Sequence, residues 1–222
     1  MSIPFRQQRF LDVSVRLGRA VSLCAKPVRV QVLVELVPVV HGPGLSKVDV
    51  RMVIDRSGSM AERAGMSDER TKIQIAGAAL KGLTHELSAG DYALMASFSE
   101  TARLDVAHGK IGRVYIEKLR LTKAIEALAA YGETHISGAL ALALEAPVVE
   151  GVVPHVFLFT DGQSTHETME DHRRLVELAD AARASGIPLA IYGTGEDYAW
   201  SLLQQLAIRA GNGSYCKHVA LV

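Results

Sequence analysis

The chain has 222 residues, in which 24 Lys and Arg balance 24 Asp and Glu, while hydrophobic residues make up 49% and aromatics only 5%. This length suits one large α/β unit with an aliphatic core. The balanced charge excludes a strongly basic surface for nucleic acid or an anionic membrane.

Cys24 and Cys216 lie far apart, without the spacing of a zinc site or the density of a disulfide framework, and read as two buried thiols. The start, Met1-Ser2-Ile3-Pro4-Phe5-Arg6, lacks the basic-then-apolar layout of a signal peptide. No apolar run approaches the roughly 18 residues of a membrane span, so the expected location is cytoplasmic.

Residues 1–46 read as a β-rich N-terminal extension. Val28, Val30, Val32, Val34 and Leu36 alternate with Arg29, Gln31 and Glu35, the pattern of a half-buried strand. Residues 10–17 form a candidate second strand, and His41-Gly42-Pro43-Gly44 is a turn. The extension is expected as an elongated edge of the same domain. Residues 47–222 then alternate strand and helix. Val48 to Ile54 reads as a strand buried on both faces, followed by a polar loop over 60–69. Next comes a helix capped by Ser67 or Asp68, with Ile73, Ala76, Leu80, Leu83 and Leu87 at helical spacing. Residues 92–98 read as a buried strand and 101–106 as a short antiparallel edge strand.

A helix over 119–130 is stopped by Tyr131-Gly132, which leaves Thr134 in a loop between two helices. The second of these covers 136–145 and ends before Pro147. A strand over 155–160, a helix over 168–183, a strand over 187–192, a helix over 197–210 and a strand over 214–218 complete the series. Gly193-Thr194-Gly195 imitates a dinucleotide fingerprint, but Tyr198 stands in the third glycine's place, so it reads as a turn. The alternation predicts a doubly wound, mostly parallel sheet with helices on both faces.

In that architecture the carboxyl ends of parallel strands share one edge, where ligands bind. Asp55, Ser57 and Ser59 emerge where the first strand ends, Asp161 follows a later strand directly, and Thr134 precedes a helix. Taken singly, Thr134 reads as a helix N-cap and Asp161-Gly162 as a turn pair. Taken together, two carboxylates and three hydroxyls suit a hard cation, magnesium above all, with manganese or calcium as alternatives.

Asp-x-Ser-x-Ser at Asp55, Ser57 and Ser59, then Thr134, then Asp161 after a strand, resembles the von Willebrand factor type A domain with its metal-ion-dependent adhesion site, in the form found inside bacterial cells. The resemblance spans about residues 47 to 222. It implies that those five residues hold the ion directly or through water, and that a partner's Glu or Asp completes the shell. By the same resemblance, some members act as adaptors beside hexameric AAA+ ATPases in chelatase or maturation complexes. Arg56, inside the first loop, is expected to point to solvent, and His135 and His166 to serve surface or packing roles. An enzyme reading would make Ser57 or Ser59 a nucleophile and His166 its base, in a metal-dependent hydrolase. No nucleophile elbow or phosphate-cradling loop accompanies them, so the expectation is a non-catalytic binding domain.

Overall fold

The computed structural model describes residues 11–17, 32–38, 47–65, 68–163, 169–196 and 198–218, and the chain divides into two compact units, residues 1–45 and 46–222. In the first unit β1 (Leu11–Leu17) and β2 (Val32–Pro38) pair antiparallel, with Leu17 opposite Val32 and Leu11 opposite Pro38. Residues 28–31, the turn at 41–44 and Cys24 lie outside the described residues.

The second unit is organised around β3 (Lys47–Asp55), whose last seven residues are all buried. After it come the short strands β4 (Arg63–Gly65) and β5 (Asp68–Thr71), helix α1 (Lys72–Glu86), β6 (Tyr92–Phe98) and β7 (Ala102–Lys110). Helices α2 (Val114–Glu126) and α3 (Ile136–Glu145) lead to β8 (Val152–Thr160). Then α4 (Met169–Ala184), β9 (Leu189–Gly193), α5 (Trp200–Ala210) and β10 (Tyr215–His218) close the chain. The sheet runs β10-β9-β8-β3-β6-β7 and is parallel throughout except for β7, which returns antiparallel on β6. This is the doubly wound sheet with one antiparallel edge strand expected from the alternation.

Strand periodicity divides the core into two layers. Val53, Val156, Leu158 and Ile191 pack with Leu140 of α3, Leu175 of α4 and Leu203 of α5. On the opposite face Met52, Ile54, Met95 and Phe159 pack with Leu80 of α1 and Leu121 of α2. Because β3 is central, with β6 on one side and β8 on the other, its carboxyl end lies at the reversal of strand order. That is where an open α/β sheet leaves its crevice.

Several boundaries depart from the sequence reading; β7 runs to Lys110 where 101–106 was expected, and β8 begins at Val152 where 155 was expected. The loop expected over 60–69 contains a single 3-10 turn (Gly58–Ala61) and the β4–β5 hairpin, and the hairpin takes Asp68 away from capping α1. The cap is Thr71, whose hydroxyl accepts from the Gln74 amide while the Gln74 side chain accepts from the Thr71 amide. Helix α2 begins at Val114 and ends at Glu126, not over 119–130, because Leu128 and Ala130, which mimic helical spacing, pack on the core from non-helical backbone. Cys216 is only partly buried, contrary to expectation, because β10 is an edge strand; burial still raises its thiol pKa.

Candidate metal centre

Ile54 of β3 stands opposite Phe159 of β8, so the next residues, Asp55 and Thr160, leave the sheet side by side. The Thr160 hydroxyl donates to Asp55 Oδ2 at 2.5 Å and accepts the Gly162 amide at 2.9 Å. The Ser57 amide donates to Asp55 Oδ1 at 2.8 Å, which folds the chain back so that the Ser57 and Ser59 hydroxyls meet at 3.2 Å. Three of the five predicted oxygens therefore belong to one tight turn at the end of β3.

The remaining two come from separate loops. The Gly58 amide donates to Gly132 O at 2.8 Å and the Tyr131 amide to Arg56 O at 2.8 Å, which zips the loop ahead of α3 onto the Ser turn. Thr134 follows at once. Its hydroxyl donates to Gln163 O at 3.0 Å, and the Gln163 amide donates to Asp161 Oδ1 at 3.0 Å, so Thr134 and Asp161 share a neighbour. The N-cap position of α3 is His135, so Thr134 is not the cap that its sequence position alone suggests. Asp55, Ser57, Ser59, Thr134 and Asp161 are thus brought to one edge of the sheet. His166 lies outside the described residues. His135 is half-exposed and faces Asp171 at 3.3 Å.

Gly132 makes this junction permissible. Its φ of +76° lies in the left-handed region, and a Cβ there would sit 3.0 Å from Glu100 Oε1. Gly132→Ala is expected to destabilise the protein by about 1–2 kcal/mol and to weaken cation binding. Chemical denaturation and cation titration of the variant check both effects.

Two cations at the site were not assigned by the sequence reading. Arg56, expected in solvent, is buried at 4% exposure with its guanidinium 4.5 Å above the Tyr131 ring, where cation–π attraction holds it. Lys72, the first residue of α1, reaches in to Asp161 Oδ2 at 3.0 Å with both side chains buried, and also contacts the exposed Glu62 at 3.1 Å. Asp55 is fully buried, and desolvation pushes its pKa up to about 6; the hydrogen bonds from Thr160 and Ser57 oppose this, and the Asp161 charge adds to it.

The sequence pattern of the von Willebrand factor type A domain matches residues 65–216, more than half of the chain. The chain belongs to that family. The matched residues include Thr134 and Asp161 and begin after Asp55, Ser57 and Ser59, whose place at the same edge follows from the strand register. A curated relative, the uncharacterized protein sll0103 of Synechocystis sp., is 29% identical over 170 residues; these make up 75% of this chain but only 37% of that protein, so the chain spans about a third of its length.

Solved type A domains share the fold at low identity. The von Willebrand factor type A protein of Catenulispora acidiphila superposes with a TM-score of 0.64 at 22% identity, over 95% of this chain and 46% of that one. Manganese-loaded TRAP protein of Plasmodium vivax gives 0.59 at 20%, over 78% and 68%. Proximal thread matrix protein 1 of the mussel byssus, with a zinc-occupied MIDAS motif, gives 0.60 at 19%, over 79% and 42%.

The donor chemistry of this type A domain fits a hard cation. Asp55 accepts from the Thr160 hydroxyl and from Ser57 and still has an acceptor position to spare, and the hydroxyls of Ser57, Ser59 and Thr134 add neutral oxygens. Among the described residues no three His, Cys, Asp or Glu side chains cluster as metal ligands, so a cation here would rely on two carboxylates and neutral hydroxyls. Among the described residues, too, no helix is long and apolar enough to cross a membrane.

Proposed function

We propose that this type A domain binds a divalent, oxygen-preferring cation on Asp55, Ser57, Ser59, Thr134 and Asp161, and through it grips an acidic residue of a partner protein. Magnesium is the first choice, with manganese or calcium as alternatives. The observation that carries the reading is the meeting of two buried carboxylates with three hydroxyls at the carboxyl edge of β3 and β8. The metal-loaded states of the TRAP and byssus proteins, which share the fold, support it. When bound, the cation would supply an electrophilic centre open to an outside carboxylate.

The chain's own charges favour such a ligand. Asp55 and Asp161 contribute two negative charges and Lys72 returns one positive charge, so a dication leaves the cluster with one net positive charge. An anionic side chain from a partner neutralises it, and the buried surroundings make that attraction stronger than it would be in water. Arg56 adds a second, permanent cation close by. Binding rather than catalysis is the better use of these groups. The Ser57 and Ser59 hydroxyls are turned on each other, the carboxylate beside Ser57 is the Asp55 that a cation needs, and His135 is occupied with Asp171.

Calorimetric titration of chelator-stripped protein with Mg2+ and Mn2+ tests the reading. Wild type is expected to give heat, and Ser57→Ala to lose roughly tenfold or more in affinity with little change in stability. Immobilised wild type is expected to retain protein in Mg2+ that is released by chelator and absent from an Asp55→Ala column. Equal cation affinity in wild type and Ser57→Ala would sink the assignment.

A further inference from the structure

Lys72 breaks two local rules at once. It opens α1, where the positive end of the helix dipole disfavours a cation. Its side chain is also 1% exposed, although lysine is almost never buried whole unless paired. Departures from local preference of this kind gather at functional sites.

The ammonium is strung between two carboxylates of opposite character. Asp161 Oδ2, 3.0 Å away, has a fully buried side chain, whereas Glu62 Oε2, 3.1 Å away, has a side chain 61% exposed. The backbone fixes this arrangement, because the Lys72 amide donates to Glu62 O at 2.9 Å across the base of the β4–β5 hairpin. Asp161 in turn is the carboxylate that the metal-binding reading requires. A lone buried carboxylate pair, Asp55 with Asp161, would repel itself without a cation nearby.

We propose that Lys72 is the resident counter-cation of the metal site, a role that rests on the metal-binding reading above. In the metal-free protein its ammonium holds the Asp161 carboxylate that a cation needs, and Glu62 remains a partner to it when Asp161 turns away. Two consequences follow from charge alone. The fold keeps a cation against Asp161 whether or not metal is present, and the affinity for metal is held below what the five oxygens would otherwise give. Lys72 is a positioning and tuning residue and needs no contact with the ion.

The test compares wild type, Lys72→Met and Lys72→Arg by Mn2+ titration and by thermal unfolding in chelator. Lys72→Met keeps an unbranched side chain, one atom shorter, without the charge. It is expected to melt lower in chelator, to bind Mn2+ roughly tenfold or more tightly than wild type, and to regain its lost melting temperature when Mn2+ is added. Lys72→Arg, which keeps the charge, is expected to bind Mn2+ within a few-fold of wild type. A merely structural lysine would lower the melting temperature without tightening Mn2+ binding, and that result overturns the proposal.

If Lys72→Met does not fold in chelator, Lys72→Met/Asp161→Asn, which removes both buried charges, is expected to fold, and Mn2+ is expected to rescue the single variant. Failure of that rescue also overturns the proposal. Heat from Lys72→Met but none from wild type supports both the site and the counter-cation. Heat from neither overturns the metal reading itself, and heat from wild type that Lys72→Met does not strengthen overturns the counter-cation alone.

Discussion

Asp55→Asn is expected to lower Mg2+ and Mn2+ affinity by roughly a hundredfold or more and, at about pH 7.5, to raise the melting temperature of the metal-free protein by roughly 5 °C. Both effects come from one buried carboxylate. Folding pushes Asp55 from 3.8 up to about 6, chiefly by desolvation, so the folded chain holds the proton more tightly than the unfolded one. The stabilisation gained from that proton is complete below 3.8 and is lost as pH rises through about 6, an interval worth about 3 kcal/mol. Metal-free wild type should therefore grow less stable on going from acid to neutral pH.

Cation binding needs the carboxylate, so its affinity should run the other way. It is expected to fall about tenfold for each pH unit below 6 and to level off above. Asn can still accept the Ser57 amide, and its amide group can donate to the Thr160 hydroxyl, so the turn survives without the charge. Thermal unfolding in chelator and cation titration, each between about pH 5 and 8, check the pair of opposed slopes. An Asn variant less stable than wild type near neutrality, or one whose cation affinity is unchanged, would refute the account of this group.

Much of this site was legible because its parts lie at strand ends, and strand ends can be read from pattern. Asp55 and Asp161 close the runs Val48 to Ile54 and His155 to Thr160, and hydrophobic runs of that kind place their own termini. Thr134 taken singly reads as an N-cap, and only its place in the pattern with the other four donors set it in the site, since the preference for an N-cap and the geometry of a site loop look alike in sequence; in the structure its hydroxyl donates to Gln163 O. The Ser67 and Asp68 cap failed for a related reason. Thr71-x-x-Gln74 was present as a capping box, yet the polar residues before it suggested an earlier start than the β4–β5 hairpin allows.

Lys72 and Arg56 were illegible as buried groups. Lys72 and Asp161 are 89 residues apart, and nothing local distinguishes a lysine paired in the interior from one on the solvent face of a helix. Thr160 was visible only as the last residue of a strand. A signal did exist for it, because a strand whose neighbour ends in Asp55 presents its own final side chain to the same crevice.

Arg51→Met is expected to cost about 3–5 kcal/mol and to lower the melting temperature by roughly 10 °C, the largest effect of any single change away from the site. Asp49 and Arg51 sit in the strand read as buried on both faces; both charged side chains are buried with it, and their spacing of two puts them on the same side. The Arg51 guanidinium meets Asp49 Oδ2 at 2.8–2.9 Å and donates to Ala143 O at 2.7 Å and Pro147 O at 3.1 Å. It therefore satisfies one carbonyl in the last turn of α3, which the helix cannot satisfy itself, and one in the segment just after it. Removing it leaves a buried carboxylate with, among the described residues, only His108 Nε2 nearby at 3.1 Å, and leaves those carbonyls orphaned. Asp49→Leu/Arg51→Met, which removes both charges together, is expected to be more stable than Arg51→Met alone, because an uncompensated buried charge costs more than the pair contributes. Denaturant unfolding of the two variants decides the matter: both lack the carbonyl contacts, so a double variant less stable than the single one would show that an uncompensated Asp49 carboxylate is not what the single change costs. The link to the site is α3 itself: Arg51 fixes its carboxyl end, and Thr134 leads into its amino end, two residues ahead of Ile136.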